Sequence, residues 1–249
     1  MSHTQKPACL LIHGFTSSPR EMESLGDFLK ANGCEVRLPT LPGHNRRPED
    51  LRAVSYQDWL STVECEYQDL AKEAASCFVI GSSMGAALAL HVAANFRVNG
   101  VVALAPALRL PVWKKLAIFA LSPVLRWRTK PNGPDVRNQA AGARLQSYDI
   151  YPTAALKELL QIMRIVRDEL PKVEAPLLIM HGRHDATMSL RNVEVLRRSV
   201  GSRDIQIEIL DNSAHVVTVD YDDEKVRSET LKFIRRHIGS FTDIARSAS

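Results

Sequence analysis

The sequence predicts an α/β protein with a doubly wound, mainly parallel sheet and a small helical cap. Short apolar runs alternate with amphipathic helix patterns along most of the 249 residues, as expected for strands joined by crossover helices. The strand candidate at 7–12 is apolar throughout rather than at every second position, which favours a strand covered by helices on both faces. Polar motifs follow the carboxyl ends of several of these strands, and ligands bind at that edge of such sheets.

The first half of the chain contains the clearest element boundaries. The run 7–12 is continuously apolar and predicts a buried strand. Pro19 suits the first turn of a helix and Gly33 suits its end, which predicts a helix between them. Ser55 is a favourable N-cap for a second, longer helix. The other elements predicted in this half are the strands 35–38, 77–80 and 98–104 and the helices 55–73 and 84–95.

The alternation of strands and helices then stops and resumes only near residue 176. Residues 108–173 lack strand signals, and an insertion at the carboxyl edge of the sheet would cover a site there. We therefore predict a helical cap at 108–173, inserted in a core formed by 1–107 and 174–249. The alternative is an accessory subdomain that only packs against the core. The predicted elements are the cap helices 112–127, which Pro123 splits, and 153–169, then the strands 176–180 and 205–210 and the helices 190–199 and 221–238.

The composition is that of a globular protein, with 45% hydrophobic and 24% charged residues, and the chain is long enough to bury one sizeable core. No N-terminal stretch has the pattern of a signal peptide, and no apolar run is long enough to span a bilayer. We therefore expect a cytoplasmic protein. The four cysteines show no metal-ligand spacing, so we expect reduced and mostly buried thiols.

The net charge of +4 is unevenly distributed along the chain. Residues 107–147 contain one acidic residue, Asp135, and eight basic ones: Arg109, Lys114, Lys115, Arg126, Arg128, Lys130, Arg137 and Arg144. A basic segment is typical of a solvated face, of contact with an anionic surface or of a nucleic-acid site. No nucleic-acid-binding module is recognisable here. We expect no nucleic-acid partner and at most transient contact with lipid surfaces.

A turn between a strand candidate and a helix candidate predicts a nucleophile. The motif GSSMG at 81–85 follows the apolar run 77–80 and precedes residues of high helix propensity. In this context Gly-x-Ser-x-Gly forms a nucleophile elbow, a turn so tight that its flanking positions require glycine. The strained serine is presented beside the N-terminus of the following helix. We predict that Ser83 is the nucleophile; the alternative is a glycine-rich turn that only packs tightly.

A serine hydroxyl needs a base to accept its proton and an anion to orient that base. Asp185 follows the strand 176–180, and His215 follows the strand 205–210. Both would lie at the same edge of the sheet as Ser83, and the chain order Ser, Asp, His is the one this motif requires. We predict that Asp185 is the acid and His215 the base.

Other residues compete for these roles. Asp211 also lies at a strand end and is the alternative acid. His184 precedes the acid and would face away from it, and His237 belongs to a predicted solvated helix face. The strongest candidate for a metal site consists of His181, His184 and Asp185. We expect no metal, because the acid must stay available to the base.

Ester and amide hydrolysis also requires two donors for the oxyanion of the transition state. The backbone N–H of Met84, at the start of the elbow helix, is one candidate. The N–H of Phe15, in the loop after the first strand, is the other, because Gly14 allows a close backbone approach. The alternative for Phe15 is a core aromatic, and His13 is expected to order the loop.

Two apolar stripes in the predicted cap indicate where an acyl chain binds. The first contains Trp113, Leu116, Ala117 and Ala120, and the second contains Leu156, Leu159, Leu160 and Met163. The two stripes can simply bury each other, but in a cap above Ser83 part of this surface should line an acyl channel. Predicted substrate-binding residues are Phe15, Trp113, Leu116, Leu160 and Met163. A channel for several methylenes predicts a preference for medium-chain esters.

Five motifs of the chain share one family pattern: HGFTSSP at 13–19, LPGH at 41–44, GSSMG at 81–85, HGRHD at 181–185 and SAHVVTVDYD at 213–222. Over residues 8–238 the chain resembles the α/β-hydrolase superfamily, and more closely its small bacterial carboxylesterases and monoacylglycerol lipases. The resemblance implies hydrolysis of carboxylic esters through an acyl-enzyme, under a small helical cap and without a cofactor. The family's nucleophile, acid and base then correspond to Ser83, Asp185 and His215, and its oxyanion donors to Phe15 and Met84.

The leading hypothesis is a serine carboxylic-ester hydrolase acting on a small-molecule or lipid-like ester such as a monoacylglycerol. Thioesterases, C–C hydrolases and cofactor-free haloperoxidases share the same three residues and stay open as alternatives. A non-catalytic small-molecule-binding protein is the alternative from a different class, because fold alone does not determine activity.

Overall fold

The computed structural model describes residues 6–112, 116, 118, 120, 125–130 and 133–239. The strands are β1 (Ala8–Ile12), β2 (Glu35–Arg37), β3 (Cys77–Ser82), β4 (Gly100–Leu104), β5 (Trp127–Thr129), β6 (Ile150–Pro152), β7 (Leu177–Gly182) and β8 (Ile205–Leu210). The α-helices with both ends described are α1 (Arg20–Ala31), α2 (Tyr56–Glu73), α3 (Met84–Asn95), α4 (Gln139–Gly142), α5 (Thr153–Glu169), α6 (Arg191–Ser199) and α7 (Asp223–His237). Within the described residues, no helix has both the length and the apolar character needed to cross a bilayer.

The central sheet has six strands in the order β2-β1-β3-β4-β7-β8, and every neighbouring pair is parallel. The chain runs from β1 outward to β2, returns to β3 on the other side of β1, and then continues to β8. The strand order therefore reverses between β1 and β3, so the loops after these two strands flank a crevice at the carboxyl edge. The predicted doubly wound parallel sheet is confirmed.

Helices cover both faces of this sheet. In β1, Ala8, Leu10 and Ile12 belong to one apolar cluster, and Cys9 and Leu11 belong to the other. Helices α2, α3 and α5 contribute to the first cluster, and α1 and α7 contribute to the second. This two-sided burial is the reason that the strands are apolar at consecutive positions.

Residues 105–176 connect β4 to β7, which are neighbours in the sheet. The prediction that 108–173 lacks strands is wrong, because β5 and β6 pair there as an antiparallel ribbon with Arg128 opposite Tyr151. Strands of three residues are too short to show a period in the sequence. The predicted helix 112–127 overlaps β5, and most of its residues lie outside the described part of the chain.

The second helix predicted in the insertion is α5, which packs on α3 and α2. Its residues Ile162, Met163 and Val166 are fully buried in the same apolar cluster as α3. The insertion therefore has packing duties, as the accessory-subdomain alternative requires. Its division from the core at residues 108 and 173 stays a prediction.

One histidine predicted on a solvated face is buried. His237, the last residue of α7, is 5% exposed. Its Nδ1 lies 2.8 Å from the carbonyl oxygen of Phe233, and its Nε2 lies 3.0 Å from the carboxylate of Asp204. The prediction is wrong because the last turn of α7 packs beside the loop that precedes β8, a contact that helix periodicity does not reveal.

The four cysteines carry free thiols. Cys9, Cys34 and Cys77 are buried, whereas Cys65 is exposed on α2. Burial raises the pKa of Cys77 to about 11, which keeps this thiol protonated and unreactive at neutral pH.

A buried histidine joins three helices. His91 of α3 places Nδ1 2.7 Å from Glu169 Oε2, at the end of α5, and Nε2 2.9 Å from Glu64 Oε1 on α2. Burial alone would lower the pKa of His91, but the hydrogen bonds and charges of the two carboxylates outweigh it and raise the pKa. The two carboxylates therefore favour the cationic form of the imidazole that ties α5 to the core helices.

We predict that His91→Ala lowers the free energy of unfolding by about 1–3 kcal/mol, because two carboxylates lose their shared partner. The raised pKa of His91 makes this contribution complete below the ordinary histidine value of 6.5, and it disappears as pH rises through the folded pKa. The contribution also disappears at acid pH. Burial alone would raise the pKa of Glu169, but His91 outweighs it and lowers the pKa below its ordinary value of 4.5. The ion pair is therefore lost as the pH falls through this lowered pKa and the carboxylate protonates.

Urea unfolding of both proteins across acid, neutral and alkaline pH measures the difference. It should be largest between the ordinary pKa values of Glu169 and His91, 4.5 and 6.5. His184→Ala, at an exposed histidine, is the control and should change stability little at any pH. A His91→Ala difference that does not vary with pH would contradict a charged cluster.

Candidate active site

Ser83 stands in a turn that only glycine neighbours permit. It connects β3 to α3 with φ +55° and ψ −111°, a conformation that side-chain-bearing residues rarely adopt. A Cβ on Gly81 would lie 2.0 Å from the carbonyl oxygen of Gly85, and a Cβ on Gly85 would lie 2.1 Å from that of Ile12. The turn therefore positions Ser83 at the carboxyl end of β3, beside the N-terminus of α3.

Three side chains from three loops meet at this edge of the sheet. Ser83 Oγ lies 2.9 Å from His215 Nε2, and His215 Nδ1 lies 2.7 Å from Asp185 Oδ2. The other carboxylate oxygen of Asp185 accepts from the backbone N–H groups of Thr187, at 2.9 Å, and Met188, at 2.6 Å. In this arrangement the imidazole donates its Nδ1–H to the carboxylate and presents the Nε2 lone pair to the serine hydroxyl.

The surroundings of His215 favour its protonated form. Burial alone would lower the pKa of His215, but the charge and hydrogen bond of Asp185 outweigh it, with help from Asp135 and Glu21, and raise the pKa. A second imidazole, His181, is fully buried with Nε2 3.5 Å from the same Asp185 oxygen, and burial lowers its pKa. His215 is therefore the imidazole that accepts a proton more readily.

Asp135 of the insertion joins the two loops that carry Asp185 and His215. Its carboxylate accepts from Ala186 N at 3.0 Å, from Thr187 N at 2.9 Å and from Thr187 Oγ1 at 2.8 Å. Its carbonyl oxygen accepts from His215 N at 3.0 Å and from Val216 N at 3.2 Å. The inserted segment thus fixes the spacing between these loops.

A second carboxylate, Asp220, holds the same segment to the loop of His215. It is 1% exposed and accepts from Ala214 N at 2.8 Å, from Arg137 N at 2.9 Å and from Asn138 N at 2.8 Å. Sequence reasoning did not single out this residue or the role of Asp135. Most of their partners are distant in the chain, from 51 residues between Asp135 and Ala186 to 83 between Asp220 and Arg137, so no local pattern points to them.

The loop after β1 lies against Ser83. A Cβ on Gly14 would stand 3.3 Å from the Cβ of Ser83, and the N–H of Gly14 donates to Glu21 Oε2 at 3.2 Å. The N–H groups of Phe15 and Met84 have no hydrogen-bond partner among the residues that the structure describes. Both are available to donate to a group bound beside Ser83.

Two buried histidines order this loop. His13 Nε2 accepts from Leu41 N at 3.2 Å, and His44 Nε2 accepts from Thr16 N at 3.1 Å. Burial lowers the pKa of His44 to about 3, so this ring stays neutral and can accept. Thr16 has φ +64°, and the bond to His44 helps to hold that strained conformation next to Phe15.

A cavity of about 520 Å³ opens over Ser83 and His215. Much of its wall is apolar and comes from the insertion and from loops after the strands: Phe15, Leu110, Ile118, Leu145, Tyr151, Leu156, Leu159, Met188 and Val216. Charged residues also reach it: Glu21, Arg128, Lys130 and Asp135. The cavity thus combines an apolar wall with a charged region.

The predicted substrate-binding residues have different places in the structure. Phe15 lines the cavity, and Trp113 lies outside the described residues. Leu116 is exposed, Leu160 is partly buried against the core and Met163 is fully buried in it; among the described residues, none of these three lines the cavity. Periodicity identifies an apolar stripe but not which part of it reaches the cavity. The neighbours that line it instead are Ile118, Leu156 and Leu159.

The competing residues do not join Ser83 and His215. Asp211 is exposed and pairs with Arg183, whose Nε lies 2.6 Å from its carboxylate. His184 is exposed in the loop before Asp185. Within the described ranges, no group of three or more histidine, cysteine or acidic side chains is arranged to hold a metal ion.

Comparison with known proteins gives one family. Residues 3–222 match the family described as Serine aminopeptidase, S33. The chain is 30% identical over 231 residues to the thermostable monoacylglycerol lipase of Bacillus sp. (strain H-257), covering 92% of this chain and 91% of that protein. It is 23% identical over 231 residues to the carboxylesterase of Bacillus subtilis (strain 168), covering 92% of both.

Solved structures give the same fold. A structure from work on the metagenome-derived lipolytic enzymes LipS and LipT has a TM-score of 0.88 and 29% identity, covering 94% of this chain and 95% of that one. The monoacylglycerol lipase of Paleococcus ferrophilus has a TM-score of 0.78 over 94% of this chain and 96% of its own, but at 18% identity this likeness concerns the fold alone. The chain therefore belongs to the Serine aminopeptidase, S33, family of serine hydrolases with the α/β-hydrolase fold.

Proposed function

We propose that the protein hydrolyses medium-chain carboxylic esters, such as monoacylglycerols, through an acyl-enzyme on Ser83. The observation that carries the proposal is the position of His215, in hydrogen-bond reach of both Ser83 Oγ and Asp185. A base so placed converts a weakly nucleophilic hydroxyl into an effective nucleophile. Asp185, His215 and Ser83 are the proposed catalytic residues.

The first half of the reaction forms the acyl-enzyme. Ser83 Oγ attacks the ester carbonyl carbon while His215 Nε2 takes the hydroxyl proton, and Asp185 stabilises the resulting imidazolium. The N–H groups of Phe15 and Met84 donate to the oxyanion. When the tetrahedral intermediate collapses, the C–O bond to the alcohol breaks, and His215 gives its proton to the departing oxygen.

Water completes the reaction in the second half. His215 Nε2 accepts a proton from water as its oxygen attacks the acyl carbon, and the same two N–H groups stabilise the second oxyanion. The bond to Ser83 Oγ then breaks, the serine regains its proton from His215, and the carboxylic acid leaves. Every proton transfer passes through one ring nitrogen, so this mechanism requires no metal or cofactor.

The proposed substrate follows from the relatives and from the cavity. The curated relatives that align over 92% of this chain are a monoacylglycerol lipase and a carboxylesterase. Leu156 and Leu159 of α5, with Phe15 and Met188, supply apolar wall beside Ser83. Each methylene buried there contributes about 0.8 kcal/mol, so a chain of several carbons binds better than acetyl.

We predict that Ser83→Ala lowers kcat for p-nitrophenyl esters by about 10³-fold or more with the fold retained, because the nucleophile is lost. Steady-state kinetics and circular dichroism measure the two effects. In the wild-type protein, phenylmethylsulfonyl fluoride should add a single sulfonyl group, at Ser83, which mass spectrometry locates. A folded Ser83→Ala protein with nearly normal turnover would end the proposal.

Two matched carboxylate variants test which aspartate orients His215. Asp185→Asn should lower kcat/KM by orders of magnitude, whereas Asp211→Asn should change it little. The activity of the wild-type protein should fall on the acid side as His215 becomes protonated, and the raised pKa of His215 places this fall above its ordinary value of 6.5. A larger loss from Asp211→Asn than from Asp185→Asn would reverse the assignment of the acid.

We predict a maximum of kcat/KM at medium acyl length in a p-nitrophenyl ester series from acetate to palmitate, because the apolar wall binds successive methylenes. A medium-chain monoacylglycerol should be hydrolysed efficiently and triolein poorly, since a cavity of about 520 Å³ does not admit a bulky triester. A maximum at acetate, or efficient hydrolysis of triolein, would show that the cavity does not select acyl length in this way.

A further inference from the structure

The cavity contains a guanidinium group that lacks partners. Arg128 of β5 lines the cavity, and its Nε and Nη2 are buried without a hydrogen-bond partner among the residues that the structure describes. Buried charged donors are rarely left unsatisfied, because each costs the desolvation of the group without compensation. The segment 107–134 contains no acidic residue that could pair with it.

Lys130, two residues after Arg128, is a second cationic residue of the cavity. Its Nζ donates to Thr16 Oγ1 and to Ser147 Oγ, the latter at 3.1 Å. In the described part of the chain it forms no ion pair with a carboxylate. Burial lowers the pKa of Lys130 to about 8, so the ammonium is mostly charged at neutral pH.

These cations lie close to the proposed oxyanion loop. Arg128 pairs directly with Tyr151 across the β5–β6 ribbon, so the two side chains are on the same face. The ring of Tyr151 packs edge-on against Phe15 at 5.4 Å between centroids. A group bound at Arg128 is therefore one aromatic ring away from the loop that carries Phe15.

The acidic residues of the cavity accept hydrogen bonds from other groups, although the charges of Glu21 and of the neighbouring Asp149 act on Lys130 and raise its pKa against the larger effect of burial. Glu21 accepts from the N–H of Gly14, and one carboxylate oxygen of Asp135 accepts from three donors on residues 186–187. Neither forms an ion pair with Arg128 or Lys130 in the described structure. Nε and Nη2 of Arg128 can therefore donate to an anionic group that enters the cavity.

We propose that the cavity binds esters that also carry an anionic oxygen group, a carboxylate or a phosphate, and that Arg128 holds this anion with Lys130 beside it. The guanidinium fork matches the oxygens of either group. The proposal deepens the ester-hydrolase function and rests on it. A neutral monoacylglycerol would contact the apolar wall but leave the guanidinium of Arg128 without a counter-charge.

The test compares anionic esters with neutral ones of the same acyl length. One pair is monomethyl suberate and methyl octanoate, and the other is 1-octanoylglycerol-3-phosphate and 1-octanoylglycerol. In the wild-type protein at least one anionic ester should have a kcat/KM about tenfold or more above its neutral counterpart, mainly through a lower KM. The pair that shows this advantage identifies carboxylate or phosphate as the group bound.

Arg128→Met should abolish the advantage, and Arg126→Met, at an exposed arginine two residues earlier, should retain it. The advantage should also shrink as pH rises through the pKa of Lys130, about 8, because the ammonium loses its charge. The proposal is overturned if the wild-type protein hydrolyses neutral esters but anionic ones no better, or if Arg128→Met keeps the preference.

A binding measurement separates this subsite from catalysis. In calorimetry with the wild-type protein, octyl phosphate is compared with octanol, and suberate monoamide is compared with octanamide. In at least one pair the anionic probe should bind about tenfold or more tightly than the neutral one. This result needs no turnover, so it also serves if Arg128→Met does not fold. Equal binding of the anionic and neutral probes overturns the anion site, whereas normal binding without ester hydrolysis would overturn only the proposed function.

Discussion

The close approach of the serine turn to β1 is the contact on which the rest of the site depends. No side chain fits at Gly81 or Gly85, because a Cβ would lie 2.0 or 2.1 Å from a backbone oxygen. This packing holds Ser83 at φ +55° and aligns it with the loop after β1. The strain of the turn is maintained by the parallel pairing of β1 with β3, which lies at the point where the strand order reverses.

Asp185 and His215 are held in place by different contacts, which come from the insertion. Backbone hydrogen bonds from the loops of Asp185 and His215 converge on Asp135 of the insertion, and Asp220 bonds the same segment from the other side. Carboxylates that accept several N–H bonds form charge-assisted hydrogen bonds, which are stronger than those between neutral groups. The insertion therefore both forms part of the cavity wall and holds the loops of Asp185 and His215, so its structure and the arrangement of the site are coupled.

Most of the fold and the three central site residues were predictable, because each depends on local signals. Continuous apolar runs marked strands buried on both faces, and the glycines around Ser83 reflect a steric requirement. The insertion was predicted less well. Its three-residue strands leave no period, and the stripes on its helices did not reveal that Met163 packs into the core while Leu159 faces the cavity.

The sequence by itself determined the alternation of strands and helices, the glycine-flanked turn of Ser83 and the positions of Asp185 and His215 at strand ends, because these follow from sterics and periodicity within short windows. Only the tertiary structure decided which charges face inward. The basic residues of the insertion were equally compatible with a solvated face, yet Arg128 and Lys130 line the cavity. Whether a charged side chain points to solvent or to a cavity depends on the strand opposite it and on the loops around it, and these contacts join residues distant in the chain.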